Sequence, residues 1–84
     1  MEFTKHFRQM LDERSIHEEW VDRAIRKPDR IECPGDNTNH FIKQIPENDN
    51  RWLRIVVNVD VQPNRAITAF FDRRLRRNQN ENQS

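Results

Sequence analysis

The side chains best suited to proton transfer or phosphate chemistry are His6, His17 and His40, with a set of cations that includes Arg14, Lys43, Arg54 and Arg73. An imidazole titrates at about 6.5 and can give or take a proton near neutral pH. A guanidinium presents several N–H donors in a fork that matches a phosphate or a carboxylate. His6 flanks an apolar helical stripe without belonging to it. It reads either as a half-exposed acid or base, or as a surface helix histidine or one bonded to a sheet carbonyl. His17 and His40 fall in no motif and read as ordinary surface histidines. Arg54 shares a strand face with Trp52, and an aromatic beside a cation suits base stacking and packing equally. No cluster has metal-ligand spacing, and the single Gly35 excludes a glycine-rich phosphate loop. The pattern implies no metal and no cofactor.

Formal net charge is only +1 over 84 residues, but its distribution is uneven. Arg65, Arg73, Arg74, Arg76 and Arg77 face one acid, Asp72, within residues 65–77, a local +4. Residues 1–64 hold ten basic and twelve acidic side chains, a local −2. A basic C-terminal end meets nucleic acid, an acidic protein or only water. Cys33 stands alone, so no intrachain disulfide forms, and a reducing compartment suits it. Glu2, Lys5, His6 and Arg8 occupy positions where a signal peptide needs an apolar core, and no apolar run is long enough to span a bilayer. A cytoplasmic protein with no membrane partner is expected.

The elements that must position these groups follow from periodicity. Phe3, Phe7, Met10 and Leu11 mark one face of a helix from about Thr4, its N-cap, to Glu13. Ser15-Ile16-His17-Glu18 has the form of a capping box and starts a second helix that turns Ile16, Trp20 and Ala24 inward, until Lys27-Pro28 stops it. The period then changes to two. Short strands are expected at Arg30–Cys33, His40–Ile45, Trp52–Asp60 and Ala66–Phe71. Leu53, Ile55, Val57 and Val59 form the face that packs under the helices, with Phe7, Leu11, Trp20 and Ile25. Lys43 has the inward parity of Phe41 and Ile45, so it either snorkels at a sheet edge or points into a cleft. The expectation is a single α+β domain over residues 1–77, two N-terminal helices on a small antiparallel sheet of three or four strands. A disordered polar tail follows at 78–84.

Several blocks together carry a resemblance. They are His6-Phe7-Arg8, Glu13-Arg14-Ser15-Ile16, Val21 with Ala24-Ile25, Pro28-Asp29-Arg30-Ile31-Glu32, Leu53-Arg54-Ile55-Val56-Val57 and Ile67-Thr68-Ala69-Phe70-Phe71. In this order and spacing, over residues 3 to about 74, they resemble a bacterial family of small domains of unknown function. That family is similar to BrnT-type toxins, of the broader RelE-like fold, in its helix–helix–sheet order and in a closing strand followed by arginines. The chain has no tyrosine, a residue that some RelE-like ribonucleases place near the scissile phosphate.

The resemblance implies a toxin-type endoribonuclease of a toxin–antitoxin module, with RNA as substrate and an antitoxin protein as partner. Metal-free RNA cleavage takes a proton from the 2′-hydroxyl, gives one to the 5′-oxygen and stabilises the charge on the phosphorane. Each positioned acid or base is worth roughly 10²- to 10⁴-fold. On this reading His6 is the acid or base, with Arg14, Lys43, Arg54 and Arg73 around the phosphate and Trp52, Arg74, Arg76 and Arg77 along the RNA. Arg14 sits at the helix–helix corner, where either phosphate or Glu18 and Glu19 can take it. The five catalytic candidates are expected to line one electropositive cleft between helix 1 and the sheet, with separations of roughly 5–9 Å. Two other readings keep the fold without the chemistry: a module that docks a protein on the exposed sheet face, and an RNA-binding domain that uses the arginine-rich end.

Overall fold

The computed structural model describes residues 1–75. The expected domain limit at 77, the polar tail, Arg76 and Arg77 lie outside the described residues.

Helix α1 spans Lys5–Glu13, and the Thr4 hydroxyl accepts the Phe7 N–H at 3.1 Å as its N-cap. Phe7 and Leu11 are buried on its inner face, with Phe3 and Met10 packed beside them. Its end corrects the expected capping box. Ser15 takes φ 56° directly after the C-cap Arg14, so it terminates α1 and does not start α2. The Ser15 N–H donates to Asp12 O at 3.1 Å and the Ile16 N–H to Leu11 O at 2.9 Å. This pair of bonds around a left-handed residue is the Schellman arrangement, and it drops Ile16 into the core with Leu11. The chain then needs an extended residue before it can coil again. Helix α2 therefore spans Glu18–Arg26 with His17 at its N-cap and no side-chain cap bond. Glu18 and Glu19 in the first turn and Arg23 and Arg26 in the last match the helix dipole.

Four strands follow as an antiparallel meander: β1 (Arg30–Glu32), β2 (Thr38–Ile45), β3 (Arg51–Asn58) and β4 (Arg65–Phe71), in that spatial order. A short 3₁₀ turn, Pro46–Asn48, leads to Asp49 and Asn50, both left-handed, between β2 and β3. Asx residues tolerate that conformation best after glycine. The sheet has two unlike faces. Ile45, Leu53, Ile55, Val57 and Ala69 pack under the helices, with Phe41 and Phe71 beside them. The opposite face carries Glu32, His40, Ile42, Trp52, Arg54, Val56 and Phe70, as the register requires.

Ala66 and Ala69 are both buried in the core although three residues apart, which strict alternation forbids. A register shift between Val56 and Val57 absorbs the extra residue and leaves Ile67 exposed. Val59 corrects another expectation. It lies past the end of β3 and is 36% exposed, because β3 stops at Asn58 and the Val59 N–H turns to Asn37 O at 3.1 Å. The outer edge of β4 is covered. Glu2 bridges to Asn64 O and the Ala66 N–H, and Arg14 donates to Ala69 O at 2.8 Å. An edge blocked in this way resists pairing with another chain.

Ser15→Gly is expected to raise stability by about 0.5–1 kcal/mol, since a left-handed L-residue costs roughly 1–2 kcal/mol and glycine's larger unfolded entropy offsets part of the gain. Ser15→Ala is expected to leave the melting temperature within a degree or so of the parent's, whereas loss of an N-cap costs about 1 kcal/mol. Thermal melts of the two variants against the parent check both, and an alanine variant that melts well below the parent would restore the capping box.

Candidate functional site

β3 is an interior strand, so Arg54 has a neighbour on each side: Ile42 on β2 and Phe70 on β4. It projects from the face that the helices leave uncovered, yet it is only 5% exposed. A charge held there needs partners. The Arg54 Nε–H donates to Asp72 Oδ2 at 2.8 Å and Nη1 donates to Glu32 Oε1 at 2.8 Å. The same Nη1 lies 2.9 Å from His40 Nδ1. A guanidinium only donates, so His40 Nδ1 accepts and the ring proton sits on Nε2.

Strand register brings these groups together. Glu32 and His40 are directly opposite each other on β1 and β2, two residues along from the Ile42–Arg54 pair and on the same face. Asp72 follows β4 immediately, and its N–H donates to Trp52 O at 2.8 Å as a last rung beside β3. The Asp72 side chain, 2% exposed, also accepts from Arg74: the backbone N–H and Nε–H reach Oδ1 at 3.0 Å, and Nη2 reaches Oδ2 at 2.9 Å. Arg30 Nη2 meets Glu32 Oε2 at 3.1 Å. The result is one ionic chain, Arg30–Glu32–Arg54–Asp72–Arg74, whose three cations and two anions leave one positive charge.

The cations fix the ionisation of the acids. The Arg74 side chain, joined by its backbone N–H and by Arg54, holds the Asp72 carboxyl far below the usual carboxylate range against the opposing effect of burial. Arg54 lowers Glu32 in the same way, again against burial. Asp72 in turn raises Arg74. All of them are charged at neutral pH.

The five residues expected to share one cleft do not converge. His6 is exposed on α1, which packs on the opposite side of the sheet from Arg54. Arg14 turns to the β4 edge and donates to Ala69 O and the Thr68 hydroxyl, in place of the expected Glu18 and Glu19. Lys43 snorkels to Asp29 at 3.5 Å. Arg73 is exposed in the turn after β4. The cleft fails because α1 and β3 present their polar groups in opposite directions, with the apolar core between them. Trp52 and Arg54 do share a face, and Arg74 joins them there through Asp72. Sequence reasoning missed Glu32, His40 and Asp72. They are 14 to 22 residues from Arg54 along the chain, and only sheet register pairs them with it.

Fold and site together define a small α+β domain with one sheet face under two helices and the other open and ionic. The chain belongs to the family described as Domain of unknown function (DUF4258), whose model matches residues 3–71. No curated protein and no solved structure gives a significant match. None of the three comparisons ties the chain to BrnT-type or RelE-like toxins. Among the described residues no helix is long and apolar enough to cross a membrane.

The depressed carboxyls set the sign of the acid response. Their stabilisation is complete above the ordinary carboxylate range, near pH 4, and is lost as pH falls through the lower folded values. Urea midpoints are therefore expected to fall steadily from pH 5 to pH 2. Asp72→Asn breaks a buried pair and is expected to cost about 3 kcal/mol or more at pH 7, with a flatter acid slope. A variant that keeps the parent's slope over that pH range would mean that Asp72 does not carry the acid transition.

Proposed function

We propose that this domain binds single-stranded RNA on the open face of its sheet. The supporting observation is the gathering of Trp52, Phe70, His40 and Arg54 on that one face, with Arg30 and Arg74 at its two ends. Aromatic side chains on adjacent strands give unstacked bases a surface, and cations beside them meet the backbone. Trp52 and Phe70 sit diagonally across β3 and β4, a relation that spaces side chains by about 7–8 Å. Stacked bases are only about 3.4 Å apart, so two bases seated on both rings must be splayed, as in a single strand.

The sharper form of this reading is a toxin-type endoribonuclease, as the likeness to BrnT-type toxins implies, with its chemistry moved to this face. Glu32 and His40 favour it. Both touch Arg54 Nη1, at 2.8 and 2.9 Å, so two groups able to move protons lie within the span of one phosphodiester. Glu32 is ionised at neutral pH and can accept a proton, and release from Arg54, whose bond holds it low, would strengthen it as the base. His40, an imidazole on the same face, suits the acid. An antitoxin partner would then cover the same open face.

A labelled single-stranded oligoribonucleotide tests the reading by fluorescence anisotropy and gel cleavage. The parent is expected to bind it, and Phe70→Ala to bind about tenfold or more weakly, the worth of one stacked base. Under the sharper form the parent also cuts the RNA, and His40→Ala binds without cutting. Binding without cutting by the parent leaves an RNA-binding domain. No binding at millimolar protein would overturn the reading in favour of a protein-docking face.

A further inference from the structure

Arg54 and Arg74 share Asp72 but are left in opposite states. Arg54 is enclosed, with Asp72, Glu32 and His40 around its guanidinium. Arg74 is held by one edge only. Its Nε–H and one Nη2–H point at the two Asp72 oxygens, while its side chain is 77% exposed. An arginine has five N–H donors, so three of them, on the Nη1/Nη2 end, face outward. That end is the fork that takes a phosphate with two parallel bonds. An exposed arginine ordinarily loses much rotamer freedom when it binds, and here Asp72 has already removed that freedom. Asp72 is itself fixed, by Arg54 Nε and by the Arg74 backbone N–H. The adjacent Arg73 is exposed too.

We propose that Asp72 is a positioning residue that holds Arg74 as a preformed subsite for one backbone phosphate at the β4 end of the open sheet face. The proposal rests on the RNA-binding reading above and names the group that meets the sugar–phosphate chain there. Its consequence runs against simple electrostatics. Removing a carboxylate from a site for a polyanion should tighten binding by Coulomb attraction alone. If Asp72 positions Arg74, removing it weakens binding instead.

The test is the affinity of the full chain for a single-stranded oligoribonucleotide over a range of salt concentrations, with melting curves for each variant. Arg74→Ala is expected to bind about tenfold or more weakly, with the slope of log affinity against log salt reduced by about 0.7, one single-strand phosphate. Arg74→Lys keeps the charge but cannot be gripped by its edge, and is expected to recover less than half of the lost binding energy. Arg73→Ala is expected to change affinity less than threefold. Asp72→Asn, where it folds, is expected to bind more weakly than the parent. Parent-like binding by Arg74→Lys, or tighter binding by Asp72→Asn, would overturn the positioning role. Should Asp72→Asn fail to fold, the lysine variant decides alone. A parent that binds no RNA defeats the RNA reading itself, whereas a parent that binds while Arg74→Ala binds equally well defeats only this inference.

Discussion

An arginine side chain cannot shed its charge at any pH a protein meets, and Arg54 carries that charge to a place only 5% exposed in the middle of the sheet. The surroundings must supply what water would have supplied. They do so from two separate strands and the segment after the last one: Glu32 from β1, His40 from β2 and Asp72 beyond β4. This compensation binds the meander across its full width. A one-residue slip of β2 against β3 would send His40 to the helix side and strand the guanidinium. The inner face is specified by apolar matching and the outer face by this one cation.

The helices are placed by different physics. α1, α2 and the turn between them contribute Phe7, Leu11, Ile16, Trp20, Val21 and Ala24 to a core that lies wholly on one side of the sheet. Burial of each large aliphatic side chain there contributes about 1.5–3 kcal/mol, which a chain of this size needs. The Schellman turn at Ser15 and the register shift between Val56 and Val57 are local departures that keep Ile16 and Ala66 in that core. Both spend backbone regularity on apolar contact. The N-terminal bridge from Glu2 and the Arg14 bond to Ala69 O then close the β4 edge, which leaves the outer face as the accessible broad surface of the sheet.

Compensation also decides which cations remain available to a ligand. Arg54 is enclosed by its partners, Arg14 serves a strand edge, and Lys43 is tied to Asp29. Among the described residues, Arg30 and Arg74 at its two ends still face water on the outer side, each held by a carboxylate. A nearly neutral protein can thus offer a local positive field along one face. The carboxylates that lower the net charge also hold those cations in place.

Much of the fold was legible without tertiary information, because it depends on local pattern. The apolar spacing from Phe3 to Leu11 marked α1, Pro28 marked the end of α2, and period-two alternation marked β2, β3 and β4 within about two residues. The inner face of β3 followed as far as Val57 and failed at Val59, where a strand end and not a pattern governs exposure. Ser15 was misread because Ser-x-x-Glu fits an N-cap as well as the end of the preceding helix, and the choice is made by where Ile16 finds the core. The site was hardly legible. Arg54 and Trp52 could be placed on one face, but Glu32, His40 and Asp72 meet Arg54 only through sheet register and the turn after β4. Charges close in space but distant in sequence leave no period to read. A buried cation finds its partners only when the sheet closes around it.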